Sequence, residues 1–378
     1  MTERLFWVFL VLFLSSWMLY PLVIAVLALF IRRHRDSWET PSEWPAVSVL
    51  VAARNEEETI GSRIANLLDQ DYSGKLEILV GSDSSDDRTD AIVRSFSSRG
   101  VVLHRSPERI GKPLMLLRLR EMASGSVLVF TDADTVFAEE TVSRLVTPYS
   151  NPRVGCVDGC RRNSLDRDTC ESIYWRYEKT VKRLCSHMGA VLGATGAVFS
   201  IRRDLFAPVS PGRGDDFELA VMARVQGYDC VFNQDAVAME PSPDDSMQYR
   251  RMVRIVSWML RSCVLLMGRA LRRGRIFLFL QLLVHKMLRW FSGLFLIAAT
   301  VLAGSLSGGS VTYTAIFIMM CLFHAAAAGG LLLRRRMPSG LLFPYYFWLM
   351  NGAAIDGIIR ALSGNPMETW EKGKGGAS

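Results

Sequence analysis

The sequence predicts an α/β domain with a mainly parallel sheet, flanked by helices and inserted between transmembrane helices. Apolar residues are concentrated near both ends of the chain, in residues 5–31 and 277–362, whereas the middle has ordinary globular composition. In the first part of that middle region, short apolar runs alternate with helical patterns at the spacing of βαβ units. One of these runs, 127–131, ends directly before two carboxylates. Strands of open parallel sheets end in this way beside a ligand.

Composition supports a membrane protein with a globular domain. The 378 residues are 50% hydrophobic and have a positive mean hydropathy of +0.19, which is high for a soluble enzyme of this size. The length allows two or three domains. An apolar excess that lies at both ends indicates a globular domain placed between membrane segments.

The charge pattern and the cysteine spacing argue against a nucleic-acid-binding surface and a zinc site. The net charge of +7 comes with arginine clusters at 32–35, 272–273 and 334–336, beside hydrophobic segments. Such clusters mark the cytoplasmic side of a membrane, and the absence of interleaved aromatic and basic residues argues against nucleic acid as a partner. The seven cysteines are scattered without paired metal spacing, so we expect free thiols and no zinc.

The N-terminal residues 1–35 are expected to form one uncleaved transmembrane helix. The apolar run 5–31 is too long for a signal-peptide core, lacks a basic region before it and has no obvious cleavage site. The basic residues after it place the following domain in the cytoplasm. Residues 36–46, which include Pro41 and Pro45, are expected to be a linker.

The domain predicted over residues 47–245 begins with regular alternation. Strands are expected at 47–53, 76–82, 101–104 and 127–131, with helices ending near 68, 97 and 123 between them. The second half is less regular. There we expect a helix over 173–188, a glycine-rich turn at 193–196 that leads into a strand, a helix from Asp215 to near Gly227, and short strands at 230–232 and 236–239.

The C-terminal part is expected to return to the membrane. Residues 246–287 have the pattern of basic amphipathic helices that lie in the membrane interface. About three transmembrane helices are predicted within 288–362, near 288–306, 311–333 and 341–362, followed by a tail at 363–378. Asn351 and Asp356 lie inside the last of these helices, where a functional role and an internal packing hydrogen bond are both open readings.

Asp132 and Asp134 are the carboxylates that follow the strand at 127–131. Side chains at i and i+2 of an extended segment point to the same side, so these two can converge on one divalent cation, Mg²⁺ or Mn²⁺. Alone, the pair is equally consistent with an ordinary exit from a strand into a loop. Asp83 and Asp216 stand at the end of another strand and at the start of a helix, and the set favours a nucleotide-sugar site.

Each member of this set has an expected role in sugar transfer. Asp83 can accept hydrogen bonds from a pyrimidine imide, and Asp132 and Asp134 can hold the ribose and a cation that clamps a diphosphate. Asp216 can take the proton of the acceptor hydroxyl. Two basic side chains are expected to add positive charge near the phosphates, Lys112 and Arg251.

Residues 47–259 carry motifs that resemble those of the inverting family-2 glycosyltransferases, which have the GT-A fold. The matching segments, in order, are VSVLVAARNEE, GSDSSDDRT, GK at 111–112, FTDADT, GATGAVFSIRR, GDDFELAVMARVQGYDCVF and QYRRMVRI. The flanking helices are similar to those of membrane-integrated members, such as hyaluronan and cellulose synthases and ceramide glucosyltransferase-like enzymes. The resemblance therefore implies a GT-A domain between membrane helices.

The resemblance also implies roles for particular residues. It places Ala52, Arg54, Glu56 and Asp83 around the nucleoside, Asp132 and Asp134 on nucleotide and metal, and Asp216 as general base. One departure concerns the Q-x-x-R-W signature of processive members. Here Gln248 and Arg251 are followed by Met252 in place of Trp, so processive and single transfer both stay open.

The function expected from the sequence is that of a membrane-bound inverting glycosyltransferase. It would transfer a hexose or N-acetylhexosamine from a UDP-sugar to a growing polysaccharide or a lipid, by metal-assisted displacement that gives a β-linkage. The alternative is a non-catalytic nucleotide-sugar-binding subunit of a glycan synthesis or export complex. The expected location is the cell inner membrane, in several passes with a cytoplasmic catalytic domain, and a homo-oligomer or an export partner is left open.

Overall fold

The structure of the chain, a computed structural model, divides into two units. It describes residues 1–34, 38–163, 170–207, 215–240, 245–333 and 342–364. The sheet unit comprises residues 28–165 and 182–242, and the helical unit comprises residues 1–27, 166–181 and 243–367. The arginine cluster at 334–336 and most of the tail predicted at 363–378 lie outside the described residues.

An eight-stranded sheet is the centre of the sheet unit. Its strands follow the order β3-β2-β1-β4-β7-β6-β8-β5. They are β1 (Val47–Ala53), β2 (Leu76–Asp83), β3 (Val101–Ser106), β4 (Val127–Thr131), β5 (Val136–Phe137), β6 (Val154–Asn163), β7 (Phe199–Arg202) and β8 (Asp229–Glu240). The first four positions in this order are mutually parallel, as the βαβ spacing predicts, whereas β7 is antiparallel to both β4 and β6.

Helices cover the sheet through apolar side chains. The helices of this unit are α3 (Ile60–Leu68), α4 (Thr89–Ser95), α5 (Lys112–Met122), α6 (Thr141–Val146) and α8 (Asp215–Val225). The core contains Val49 and Val51 of β1 together with Ile60 and Ile64 of α3 and Leu145 of α6. Burial of each such side chain contributes about 1.5–3 kcal/mol, so the alternation of apolar runs is enough to fix this part of the sheet.

β6 is a strand that the sequence pattern does not predict. It contains Gly155 and Gly159, which weaken the apolar pattern of a strand, on either side of the buried Asp158. Both glycines are needed for close approach, because a Cβ atom would lie 2.6 Å from Tyr228 Cβ at Gly155 and 2.8 Å from Ala236 O at Gly159. The expectation of two short strands at 230–232 and 236–239 is also wrong, since β8 is one continuous strand.

The helical unit contains most of the apolar excess. Its helices are α1 (Thr2–Leu14), a π-helical turn (Ser15–Leu19), α2 (Tyr20–Phe30), α7 (Cys170–His187), α9 (Asp245–Arg272), α10 (Ile276–Gln281), a second π-helical turn (Leu282–Leu288), α11 (Ser292–Leu306), α12 (Val311–Leu333) and α13 (Phe343–Leu362). The last residues of α2 and of α7 belong to the sheet unit.

Among the described residues, three stretches are long and apolar enough to cross a membrane, namely Thr2–Phe30, Ser292–Gly309 and Val311–Leu331. The helix expected near 341–362 is present as α13 but is not among these three, because Asn351, Asp356 and Arg360 reduce its apolar character. Asn351 is buried and accepts hydrogen bonds from Ser292 Oγ at 3.0 Å and Gly293 N at 2.8 Å. Its role in the described structure is therefore an internal packing hydrogen bond.

Candidate active site

The carboxyl ends of three parallel strands lie at one edge of the sheet. In the strand register, Ala53 at the end of β1 pairs with Ser82, which precedes Asp83 at the end of β2. On the other side of β1, Val51 pairs with Thr131, the last residue of β4. Since Asp132 and Asp134 follow Thr131 directly, the acidic residues singled out in the sequence leave the sheet at the same edge.

Asp83 organises the loop that precedes α5. Its carboxylate is buried, and its Oδ1 accepts a hydrogen bond from Ile110 N at 2.7 Å while its Oδ2 accepts one from Gly111 N at 3.0 Å. Gly111 has a φ of 82°, a left-handed conformation that favours glycine. Each carboxylate oxygen has two lone pairs, so these contacts leave Asp83 able to accept a further bond from a nucleobase.

The turns after β1 and β2 are joined by side-chain hydrogen bonds. Asn55 and Ser84 both have left-handed backbones, with φ of 53° and 56°. Asn55 Oδ1 accepts from Asp86 N at 3.1 Å, and Asn55 N donates to Ser85 Oγ at 3.2 Å. Left-handed conformations of non-glycine residues cluster at functional sites, so the positions of these two residues agree with a ligand site at this edge.

The residues expected around the nucleoside lie in and after β1. Ala52 is buried in the strand, opposite Gly81 of β2. Arg54 donates from Nη1 to the backbone oxygen of Asp83 at 3.2 Å. Glu56 is buried, and its Oε2 accepts from Thr59 Oγ1 at 2.8 Å. The structure thus brings these residues to the same edge as Asp83, and their contacts with a nucleoside stay a prediction.

Lys112 links the Asp83 loop to the acidic loop after β4. It is the first residue of α5, directly after the Gly111 amide that Asp83 holds, and its Nζ donates to Asp132 Oδ1 at 2.6 Å. The Lys112 and Asp132 side chains are only 18% and 29% exposed. Partial burial strengthens such an ion pair relative to one at the surface, so the contact fixes both side chains at the sheet edge.

Asp134 has an environment rich in negative charge. Burial, together with the carboxylates of Asp132, Glu240 and Glu56, raises the pKa of Asp134 above its usual value. Carboxylate oxygens are the ligands that Mg²⁺ prefers, and negative charge in a partly buried cluster is relieved by a cation. Asp132 and Asp134 therefore fit the divalent cation expected from the sequence. Within the described parts of the chain, no three His, Cys, Asp or Glu side chains are grouped so as to hold a metal by themselves.

A buried arginine that the sequence pattern alone does not reveal lies beneath the acidic loop. Arg63 of α3 is 2% exposed, and its Nη2 donates to Thr131 Oγ1 at 2.7 Å, one residue before Asp132. It occupies a position of the buried stripe of α3, between Ile60 and Leu67. A charged residue at an apolar helical position is the signal that would have identified it.

Asp216 lies at the start of α8 against the glycine-rich turn. A Cβ atom at Gly196 would be 3.0 Å from Asp216 Oδ2, so the carboxylate rests on the backbone of this turn. The turn leads into β7, whose Phe199 pairs with Phe130 of β4, two residues before Asp132. Because β7 is antiparallel to β4, Asp216 is placed at the edge of the sheet where Asp132 lies.

A second polar cluster that was not predicted holds the glycine-rich turn. Asp158 of β6 is fully buried, and its Oδ1 accepts from Thr195 N at 2.7 Å. Lys182 Nζ donates to Asp158 Oδ2 at 2.7 Å and to Thr195 Oγ1 at 3.1 Å. A buried carboxylate paired in this way fixes the backbone on which Asp216 rests.

Arg251 is the one expected site residue that lies outside the sheet unit. It belongs to α9 of the helical unit, whereas the other expected residues belong to the sheet unit. The role of Arg251 near the phosphates stays a prediction.

Comparison with known proteins gives three relatives of particular use. An N-acetylglucosaminyltransferase of Rhizobium meliloti is 29% identical over 231 residues, covering 55% of this chain and 54% of the relative. An N-acetylglucosaminyltransferase of Mesorhizobium japonicum is 25% identical over 308 residues, covering 74% of this chain and 70% of the relative. A beta-monoglucosyldiacylglycerol synthase of Trichormus variabilis is 30% identical over 133 residues, covering 34% of this chain and 28% of that protein. The chain spans about half the length of the first of these relatives.

One solved structure is similar over nearly the whole chain. The mannosyltransferase PcManGT of Pyrobaculum calidifontis has a TM-score of 0.68 at 21% identity, covering 96% of this chain and 99% of that one. At this low sequence identity, the structural similarity shows a shared fold only. That fold is a GT-A domain together with helices that could span a membrane. It confirms the fold class predicted from the sequence.

A family model provides the assignment. The model described as "Glycosyltransferase like family 2" matches residues 45–256, which is more than half of the chain. The matched range contains all eight strands, the acidic loop after β4 and the start of α8. The chain therefore belongs to glycosyltransferase family 2.

Proposed function

We propose that the protein is a membrane-bound inverting glycosyltransferase that uses a UDP-sugar at the cytoplasmic face of the membrane. The observation that supports this most strongly is the contact of Lys112 with Asp132, beside a loop held by Asp83. Carboxylates suit a divalent cation and an ammonium group suits phosphate oxygens. Both kinds of group at one sheet edge fit a nucleoside diphosphate bound with its cation.

The reaction is a direct displacement at the anomeric carbon. The oxygen of the acceptor hydroxyl forms a bond to this carbon while the bond to the diphosphate breaks on the opposite face. The bonding electrons leave with UDP, and the proton of the hydroxyl passes to the carboxylate of Asp216. Attack from the opposite face of an α-linked donor gives a β-linkage.

The diphosphate leaving group gains negative charge as its bond to the sugar breaks. A Mg²⁺ or Mn²⁺ ion held by Asp132 and Asp134 supplies positive charge to it when bound. Lys112 and Arg251 would add positive charge near the phosphates. Asp132 holds Lys112 at 2.6 Å in the structure, so the ammonium is already beside the expected place of the diphosphate.

The donor is a UDP-linked hexose or N-acetylhexosamine. Two relatives of this chain are named N-acetylglucosaminyltransferases, which supports an N-acetylhexosamine. Asp83 supports a pyrimidine, because its oxygens keep lone pairs for an imide N–H. The mannosyltransferase of similar fold was solved with GDP-Man and Mn²⁺. GDP-mannose is therefore the informative competitor in a test of the donor.

The acceptor is a growing polysaccharide or a membrane lipid. The apolar helices of this chain support an acceptor that is presented at the membrane, and one relative is named a beta-monoglucosyldiacylglycerol synthase. Met252 occupies the place of the tryptophan of the Q-x-x-R-W signature. Without that ring, stacking on an acceptor sugar at this position is lost.

The proposal is tested by product analysis with purified full-length protein in membranes. Radiolabelled UDP-N-acetylglucosamine, UDP-glucose and GDP-mannose are supplied in turn with Mn²⁺, and lipid-extracted and polymeric products are analysed by mass. We expect label from a UDP-sugar in one product class, sensitive to a β-specific glycosidase. Label from GDP-mannose alone, or an α-linked product, would contradict the proposed donor or stereochemistry.

The alternative is a non-catalytic nucleotide-sugar-binding subunit of a glycan synthesis or export complex. Such a subunit would bind the donor and release no UDP at any cation concentration. The combination of Asp216 on the glycine-rich turn with the acidic loop at the same edge favours the enzyme.

A further inference from the structure

Two basic side chains approach the acidic loop from different elements. Lys112 donates to Asp132 Oδ1 from the first turn of α5. Arg63 reaches Thr131 Oγ1 from α3, beneath the same loop. The proposed function explains a positive charge on the open side, where a diphosphate would bind, but it does not explain the buried Arg63.

Several contacts hold Arg63 in place, and its burial carries the free-energy cost of desolvating a charge. Besides the bond to Thr131, its Nη1 donates to Asn66 Oδ1, and its guanidinium lies 4.1 Å from the centre of the Phe137 ring. Its Nε is buried without a hydrogen-bond partner among the described residues. An apolar side chain in this stripe of α3 would avoid the desolvation of a charge, so packing alone gives no reason for an arginine here.

Arg63 interacts electrostatically with Asp132 and Asp134. Burial lowers the pKa of Arg63 to about 9, and the negative charges of Asp132 and Asp134 act in the opposite direction. The guanidinium therefore stays protonated at neutral pH and remains a fixed positive charge below the loop. Its anchor on Thr131 keeps it one residue from Asp132.

The balance of charge around the loop is close to even. The carboxylates that surround or belong to it are Asp132, Asp134, Glu56 and Glu240. The basic groups are Lys112 on Asp132, Arg161 on Glu240 at 3.0 Å, and Arg63. A free divalent cation that binds here is repelled by Lys112 and Arg63, whereas a diphosphate is attracted by both.

We propose that Arg63 and Lys112 are internal counter-cations that keep the affinity of the nucleotide-free site for divalent cations low. The cation then binds tightly only together with the nucleotide diphosphate, whose charge compensates for the two basic groups. The inference rests on the proposed function in one respect, the use of Asp132 and Asp134 as cation ligands. Arg63 is buried and acts through Thr131, so it is a positioning residue.

The test measures Mn²⁺ binding to the full-length protein in detergent, without nucleotide, from the EPR signal of free aqueous Mn²⁺. Arg63→Met and Lys112→Met remove one charge each, and Arg63→Lys and Lys112→Arg keep it. We expect each Met variant to bind Mn²⁺ at least about tenfold more tightly than wild type. The charge-conserving variants should match wild type. Binding of UDP alone should become weaker in the Met variants, which is opposite to the expected change in Mn²⁺ binding.

Damage to the fold would weaken both Mn²⁺ and UDP binding, so the opposite signs separate a charge effect from a structural one. Unchanged or weaker Mn²⁺ binding by the folded Met variants would overturn the proposal. If Arg63→Met does not fold, Lys112→Met decides by the same criterion. A wild type that binds no Mn²⁺ even with UDP would instead contradict the proposed function.

Discussion

Lys112 Nζ lies 2.6 Å from Asp132 Oδ1, and this contact joins the start of α5 to the loop after β4. Asp83 holds the amides of Ile110 and Gly111 and so fixes the backbone from which Lys112 extends. The expected nucleoside end and the expected metal end of the site are therefore connected through three consecutive residues. Loss of any part of this connection should change both the binding of the donor and the binding of the cation.

Replacement of either acidic residue after β4 should remove the activation of UDP release by the metal ion. Asp132→Asn and Asp134→Asn each take away a charged oxygen ligand of the cation. We expect UDP release at saturating donor to fall at least about 100-fold. The measurement is UDP release at increasing Mn²⁺, with Asp235→Asn, an exposed carboxylate of β8, as the matched control. Full activity of Asp134→Asn would show that the cation binds elsewhere.

Replacement of the proposed base should stop transfer and leave donor binding intact. Asp216→Asn cannot accept the proton of the acceptor hydroxyl, so we expect a decrease of about 10²–10⁴-fold in kcat. The dissociation constant for UDP with Mn²⁺, measured by calorimetry, should stay within about twofold of wild type, since the base acts on the acceptor. Equal rates of UDP release by Asp216→Asn and wild type would remove Asp216 from this role.

A methyl group on the glycine-rich turn should displace the base without unfolding the domain. The Cβ atom of Gly196→Ala would lie 3.0 Å from Asp216 Oδ2, which is tight enough to shift the carboxylate. Small misplacements of a catalytic group cost up to about 100-fold in rate, so we expect kcat to fall by about 10–100-fold with an unchanged KM for the donor.

Gly268→Ala is the matched control for this variant. A Cβ atom at Gly268 meets nothing within 4 Å, and the residue lies in a helix, where alanine is favoured. Its kcat should equal that of wild type. If Gly196→Ala is as active as Gly268→Ala, Asp216 does not depend on the turn for its position.

The pH dependence of Mn²⁺ binding should reflect the crowding of carboxylates around Asp134. The pKa of Asp134 is raised by burial and by Asp132, Glu240 and Glu56, and only the ionised carboxylate binds a cation. Affinity should therefore decline, as the pH is lowered, at a higher pH than that of an ordinary aspartate. Glu240→Gln removes one of the raising charges, so this decline should move to lower pH.

The EPR titration of Mn²⁺ in the presence of UDP, repeated across the acid range, measures this shift. Asp235→Asn, which lies at the exposed surface, should leave the decline where wild type has it. A decline that moves to higher pH in Glu240→Gln, or does not move, would show that Glu240 does not act on Asp134.

The sequence was sufficient for those parts of the fold where apolar and β-branched residues are nearly continuous. The strands at Val47–Ala53 and Val127–Thr131 match their predicted bounds, and every residue in both is buried. The strand at Val154–Asn163 was missed because its glycines and its buried Asp158 interrupt that pattern. The glycines and Asp158 are required by contacts with residues distant in the chain, and the local sequence pattern does not contain those contacts.

The same distinction applies to the candidate site. Asp132 and Asp134 were found because they directly follow an apolar strand and are one residue apart, although the structure places them in the turn after β4 and not in an extended segment. Arg63 and Lys182 were not, since their partners, Thr131 and Asp158, are far away in the sequence. Charged residues on helices are usually at the surface, and only the tertiary structure shows that Arg63 is buried.

The most direct measurement of the central claim is an experimental structure of the full-length protein with UDP and Mn²⁺, with the ion located by its anomalous scattering. The account predicts Mn²⁺ coordinated by Asp134 and the diphosphate, with Lys112 near the phosphates and the uracil beside Asp83. Mn²⁺ and UDP bound away from the edge formed by β1, β2 and β4 would contradict it.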